Sequence, residues 1–224
     1  MSIGVLLTVR GNYVPDSLEA CRTIHNETAG SAPGIAAARA LGDLSHKVYA
    51  PLPSPRSSAK TGEVLFIDWW KDPRGLMEFF ANESVQMQGV KLFKSRDASV
   101  WMPAKGSFSY ALPAAASKTE RFVGMVRGPI ASPDAAIEIF RTADQKAQRA
   151  ARARGLLSHE IFIKMNPPGT DAPLELLGLD VWCDGKGMSE HYSDPNEMKA
   201  LGGAFAGPPD ATVWQEAPGQ WSEW

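Results

Sequence analysis

Cysteine is nearly missing from the chain. Two residues in 224 exclude a disulfide framework. No Cys-x-x-Cys occurs, and the four histidines do not fall at zinc-ligand spacing, so no metal is expected. No stretch approaches ~18 uninterrupted apolar residues, which leaves no candidate membrane span. The opening MSIGVLLTVRG turns polar too soon for a signal peptide, so the expected location is the cytoplasm. An excess of one charge is also lacking: 23 basic against 25 acidic residues leave a net charge of −2. That balance argues against a nucleic-acid or membrane-surface partner. GGAFAG (Gly202–Gly207) follows a helical pattern rather than a strand, so it is not a phosphate-binding loop. The expected cofactor list is therefore empty.

What the chain does have is an internal repeat. TVRG (Thr8–Gly11) returns as MVRG (Met125–Gly128), and GDLSHKVY (Gly42–Tyr49) returns as GLLSHEIF (Gly155–Phe162). EVLFIDWW (Glu63–Trp70) returns as ELLGLDVW (Glu175–Trp182), and DASVW (Asp97–Trp101) returns as DATVW (Asp210–Trp214). Four matches in one order mark a tandem duplication. The expected domains are residues 1–104 and 121–224, joined by a linker over 105–120.

Each half reads strand, helix, strand, strand, helix, strand. In the first, Ile3–Arg10 is a strand, and Asp16–Thr28 is a helix with Leu18, Cys21, Ile24 and His25 along one face. Strands over Leu44–Ala50 and Glu63–Trp70 follow, then helical segments within Pro73–Phe93 and a closing strand at Ala98–Met102. The second half repeats this with Phe122–Arg127, Pro133–Arg154, Leu157–Met165, Leu174–Trp182, Met188–Phe205 and Thr212–Gln215. This order is the split βαβ of a ferredoxin-like unit. The third strand is apolar on both parities, so both sheet faces need cover. The expected fold class is α+β: tandem ferredoxin-like repeats whose antiparallel sheets pack into one α+β barrel, an intrachain pseudo-dimer.

On this element order, and on DWW…FFANESV and DVW…HYSDPNEM, the chain resembles the dimeric α+β barrel superfamily. It is most similar to the antibiotic-biosynthesis-monooxygenase-like and stress-responsive members. The resemblance implies a pocket between a sheet and its helices or within the barrel. It does not choose a reaction, because relatives span cofactor-free oxygenases, isomerases, dehydratases and haem enzymes.

Strand parity groups the polar candidates. His46 and His159 point with apolar neighbours, where an imidazole titrates near neutrality and serves as acid or base. Asp68 shares a face with Phe66 and Trp70, and Asp180 shares one with Trp182. Arg10 and Arg127 end the first strand of each half, and neighbouring central strands bring Arg10 toward Asp68. The candidate catalytic set is His46, His25, Arg10 and Asp68, with Trp70, Trp101 and Phe66 as substrate walls. Arg127, His159, Asp180 and Trp182 are the second-half equivalents.

The first helix distinguishes the halves. RTIHNETAGSAPG in the first aligns with RTADQKAQRAARARG in the second, so His25 faces Asp144. Gly30, Pro33 and Gly34 interrupt the first helix and are expected to open a mouth beside His25. The second helix is expected to run on and close over its sheet. Taken with these features, the resemblance implies an enzyme of the cofactor-independent monooxygenase type. Its partner would be a small apolar aromatic molecule, phenolic or enolic, that gives up a proton to a histidine while Arg10 holds the oxyanion. The alternatives are an isomerase or lyase on the same barrel, or a non-catalytic ligand- or haem-binding stress protein. A homodimer of the fused chain is a further expectation.

Overall fold

The computed structural model describes residues 4–112 and 120–224. Ile3 of the expected first strand and residues 113–119 of the expected linker lie outside the described residues. Two compact units emerge. The first holds the residues up to Pro51, Lys60–Met102 and Glu216–Trp224. The second holds Leu52–Ala59 and the described part of Pro103–Gln215. Each unit thus takes in one segment that the linear order would give to the other.

The first unit runs β1 (Val5–Tyr13), α1 (Leu18–Glu27), α2 (Ala32–Ala40), β2 (Asp43–Pro51), β3 (Glu63–Trp70), α3 (Pro73–Ala81), α4 (Glu83–Leu92) and β4 (Phe93–Pro103). Its strands lie in the order β4-β1-β3-β2, with antiparallel neighbours throughout. The second unit runs β5 (Tyr110–Ala111), β6 (Phe122–Pro129), α5 (Pro133–Ala153), β7 (Leu156–Lys164), β8 (Glu175–Trp182), α6 (Gly185–Ser193), α7 (Pro195–Leu201) and β9 (Asp210–Glu216). Its order is β9-β6-β8-β7-β5, again antiparallel. Both are ferredoxin-like α+β units, and the two long central strands of each come from the repeat. β5 falls inside the stretch read as a linker and pairs with His159 and Ser158 of β7.

The helix break expected in the first half is present. α1 stops at Glu27, and the Thr28 and Gly30 amides turn back onto the His25 carbonyl. Ser31 then caps α2 by accepting from the Gly34 amide. The side-chain acceptor satisfies a helix-end donor, so a new helix starts there instead of α1 continuing. In the second half no glycine or proline falls between Pro133 and Ala153, and α5 is a single helix of 21 residues.

Sheet register fixes which side chains meet. Directly opposed residues of an antiparallel pair project to one face. Asp68 opposes Leu7 on β1 and His46 on β2. Asp180 opposes Gly124 on β6 and His159 on β7. The register slips between Asp43 and Ser45, and between Leu156 and Ser158. These bulges re-aim each histidine at its aspartate, and the first leaves Leu44 exposed, contrary to the apolar side expected for it.

Candidate functional site

In the first unit, α1 lays His25 against the sheet face that carries His46 and Asp68. His25 is fully buried, and His46 and Asp68 nearly so. His46 Nδ1 lies 2.5 Å from Asp68 Oδ1, and His46 Nε2 lies 3.0 Å from His25 Nε2. His25 Nδ1 is 3.1 Å from Asn26 Oδ1. The Asn26 amide is oriented by its Nδ2 donating to the Gln220 carbonyl and its Oδ1 accepting from the Ser222 amide.

These bonds assign the protons. Asn26 Oδ1 accepts, so His25 Nδ1 carries a hydrogen, and neutral His25 presents its Nε2 lone pair. His46 Nε2 then supplies the hydrogen of the contact with His25. Burial, reinforced by the His46 charge, pushes His25 down to about 4, against a smaller upward pull from Asn26. Asp43, buried nearby on β2, is pushed up to about 8 by burial and by the Asp68 charge.

The second unit repeats the arrangement with a different helix residue. His159 Nδ1 is 2.6 Å from Asp180 Oδ1, and Nε2 is 2.8 Å from Asp144 Oδ2. Tyr192 on α6 donates to Asp180 Oδ2 at 2.6 Å and accepts from Trp182 Nε1 at 3.2 Å. Burial alone would push His159 down. The Asp180 charge and the bonds to both carboxylates reverse that and raise it to about 10. At neutral pH, His159 is therefore a cation held between two carboxylates, and every hydrogen in the array points to Asp144 or Asp180.

This array sits on the wall of a cavity of about 290 Å³ within the second unit. Apolar side chains form most of the remaining wall, among them Met125, Val126, Phe140, Leu201 and Phe205. The cavity exists because β6 and β8 carry glycine at two stations. Gly124 occupies the place of Leu7, and Gly178 the place of Phe66. A Cβ on Gly124 would lie 2.0 Å from the Tyr192 hydroxyl oxygen, so Tyr192 reaches Asp180 only across a bare backbone.

The sequence reading expected the open site in the first half; the described cavity is in the second. In the first unit, the Phe66 ring lies 5.4 Å from His25 and 5.2 Å from His46. Trp221 lies 5.2 Å from His25, and Trp224 stacks 4.8 Å from His46. The mouth expected beside the broken helix is thus covered by the segment that returns at 216–224. In the second unit, α5 runs on as expected, but with the small residues Ala143, Ala147 and Ala151 toward the cavity it bounds the space without filling it.

Of the candidate residues, the structure gathers His25, His46, Asp68 and Phe66 in one cluster, and His159 and Asp180 in the other. Arg10 and Arg127 are not with them. Arg10 opposes Leu65, three residues along from the Leu7–Asp68 pair, and an odd offset puts it on the opposite sheet face. It binds Glu63 at 3.0 Å, and Arg127 binds Glu175 at 2.6 Å. Trp101 opposes Leu6 and so also lies across the sheet; it is wholly buried and donates to Thr8 Oγ1. Trp70 keeps the Asp68 face but is enclosed by Phe79 and Phe80. Trp182 stands behind Tyr192 instead of on the cavity wall. Sequence reasoning missed Tyr192, which replaces Phe80, and did not count Asp144 as a site residue. Both differences were visible in the aligned repeats.

The described residues contain no cluster of three His, Cys, Asp or Glu able to hold a metal, and no helix long and apolar enough to cross a membrane. For a haem, one of the alternatives above, His159 offers the iron no free nitrogen, which leaves His191 as the other histidine on the cavity wall. Both His159 nitrogens are engaged by carboxylates, and about 290 Å³ is at the floor of the ~300–1,000 Å³ usual for ligand pockets.

No family model matches the chain, and no curated protein matches it. Solved structures do. An anthrone oxidase-like protein matches with a TM-score of 0.64 at 12% identity, over 96% of this chain and 92% of its own. A candidate monooxygenase from Fusobacterium nucleatum subsp. nucleatum matches at 0.61 and 8% identity, over 100% and 98%. Another from Lactobacillus acidophilus matches at 0.57 and 10%, over 96% and 93%. At such identities the likeness shows the fold alone: α+β, with tandem ferredoxin-like repeats.

Proposed function

We propose that this chain, with the fold of the dimeric α+β barrel superfamily, uses its second-unit cavity to oxygenate a planar phenolic or enolisable aromatic molecule without a bound cofactor. The observation that carries this reading is the hydrogen-bonded Asp144–His159–Asp180 array on the wall of a mostly apolar cavity. Low-polarity surroundings strengthen such charges and reward a flat, apolar guest. The likeness to an anthrone oxidase-like structure agrees with that substrate class.

His159 has no lone pair to act as a base while it is held as a cation, so the proton acceptor is Asp144. When an activated methylene or a phenol gives its proton to Asp144, that carboxylate loses its charge. The His159 Nε2–H is then released to the substrate's new oxyanion. Asp180, held by Tyr192, keeps the imidazolium charged throughout. The enolate carbon forms a bond to dioxygen, and the resulting hydroperoxide loses water with the second hydrogen of that carbon. One methylene and one dioxygen thus give one ketone carbonyl and one water, with oxygen as the oxidant.

Oxygen uptake with an anthrone-type compound tests the reading. Wild type should consume one dioxygen per product ketone, Asp144→Asn should lose at least ~100-fold in rate, and Gly178→Phe should lose both binding and turnover. Tight binding with no oxygen uptake would point instead to a binding protein without turnover.

A further inference from the structure

We propose that the first unit holds a second site for a planar aromatic molecule, covered in this structure by the chain's own Trp221 and Trp224. The proposal concerns the guest class named above but a different cavity.

Three observations support it. First, the same strand histidine and strand aspartate that border the open cavity in the second unit recur here, beneath two indoles. Trp224 stacks on His46 with ring centroids 4.8 Å apart and planes 25° apart, and Trp221 lies 5.2 Å from His25. A flat bicyclic ring on an imidazole face, as Trp224 lies on His46, is what an aromatic guest would supply.

Second, the covering segment is held at its surface. Trp221 and Trp224 are only half-buried, whereas Trp70 and Trp101 are at 1% and 0% exposure. The segment is tied down by hydrogen bonds: the His46 amide to the Trp224 carbonyl at 2.8 Å, the Val48 amide to Glu223 Oε1 at 2.7 Å, and Asn26 to Gln220 and Ser222. Water replaces such bonds at small net cost once the segment lifts.

Third, the surface beneath is shaped for the close approach. A Cβ on Gly30 would lie 2.6 Å from Ser222 Cβ and 2.8 Å from His25 Cε1. The glycine in the α1–α2 break thus lets the strap settle against His25. Phe66, in place of Gly178, narrows the space, so the guest is smaller than that of the second unit, about the size of one indole.

Indole itself is the probe. The Gly178→Phe variant closes the second-unit cavity, so heat of binding in that background reports the first unit alone. Gly178→Phe should bind indole at least tenfold more weakly than Gly178→Phe/Trp224→Ala, and the double variant should bind one equivalent. A folded double variant that binds none overturns the proposal; retained binding by Gly178→Phe alone overturns only the assignment of the second cavity. Should Gly178→Phe not fold, amide exchange in the wild type decides. Saturating indole should speed exchange at His46, Val48 and Ser222 at least tenfold as the strap lifts, and unchanged or slower exchange overturns it.

Discussion

His25 and Asp144 occupy the same station on the first helix of their units, 3.0 Å and 2.8 Å from Nε2 of the strand histidine each faces. The helix residue therefore sets the charge of the array. With His25, a second, neutral imidazole takes that station and closes the chain at Asn26. With Asp144, one cation lies between two carboxylates, and the array carries a net negative charge beside open space.

The two arrays should titrate at opposite ends of the pH scale. Nitrogen-15 spectra of the imidazoles should show His25 neutral, with its hydrogen on Nδ1, down to about pH 4. They should show His159 doubly protonated up to about pH 10. A His159 that titrates near 6.5 would remove the ion array from the mechanism.

His159 also links stability to pH. Its folded value of about 10 lies above the ordinary ~6.5, so folding takes up a proton in between. The contribution is full below ~6.5 and is lost as pH rises toward 10. Melting temperatures of wild type and His159→Gln should therefore differ most at pH 6 and converge by pH 10. A difference that grows with pH would reverse the sign and refute the account.

Gly124 and Tyr192 give a paired test. Gly124→Ala places a methyl carbon 2.0 Å from the Tyr192 oxygen, so the ring must move and its bond to Asp180 must break. Overpacking of this kind costs about 1–3 kcal/mol, and turnover should fall with it. Tyr192→Phe removes one donor without a clash, at about 1 kcal/mol, and should leave the cavity able to bind. Equal stability losses in chemical denaturation would show that the close approach does not matter.

Arg127 should be dispensable for chemistry. It opposes Leu177, three residues along from the Gly124–Asp180 pair, so it lies on the sheet face opposite His159 and pairs with Glu175; Arg127→Met should leave kcat unchanged. A hundredfold drop in kcat would restore it to the site.

The duplication and both element orders were legible in the sequence, and strand parity singled out His46, His159, Asp68 and Asp180 without pairing them across strands. The arginines were misplaced for a specific reason. Parity places residues on faces within one strand, but the Arg10–Asp68 relation depends on register between strands, which pairs Asp68 with Leu7. The place of the open cavity has a different basis. The helix break at Gly30 pointed to the first unit, while the volume is decided on the sheet by Phe66 against Gly178 and Leu7 against Gly124. The first exchange stands in the aligned motifs and the second one residue before them. The return of Trp221 and Trp224 onto His25 and His46 had no local signal, because nothing in nine residues at one end announces which strand they will meet.

That return has a bearing on descent. Residues 52–59 belong with the second unit and 216–224 with the first, so each copy has come to depend on a piece encoded beside its twin. A duplicated gene ordinarily remains free to lose one copy. Here a deletion of either half would leave its sibling missing a strap or carrying a stray loop. Cutting the chain at its repeat boundary would therefore not return two intact units, because each would part from a segment that packs with it.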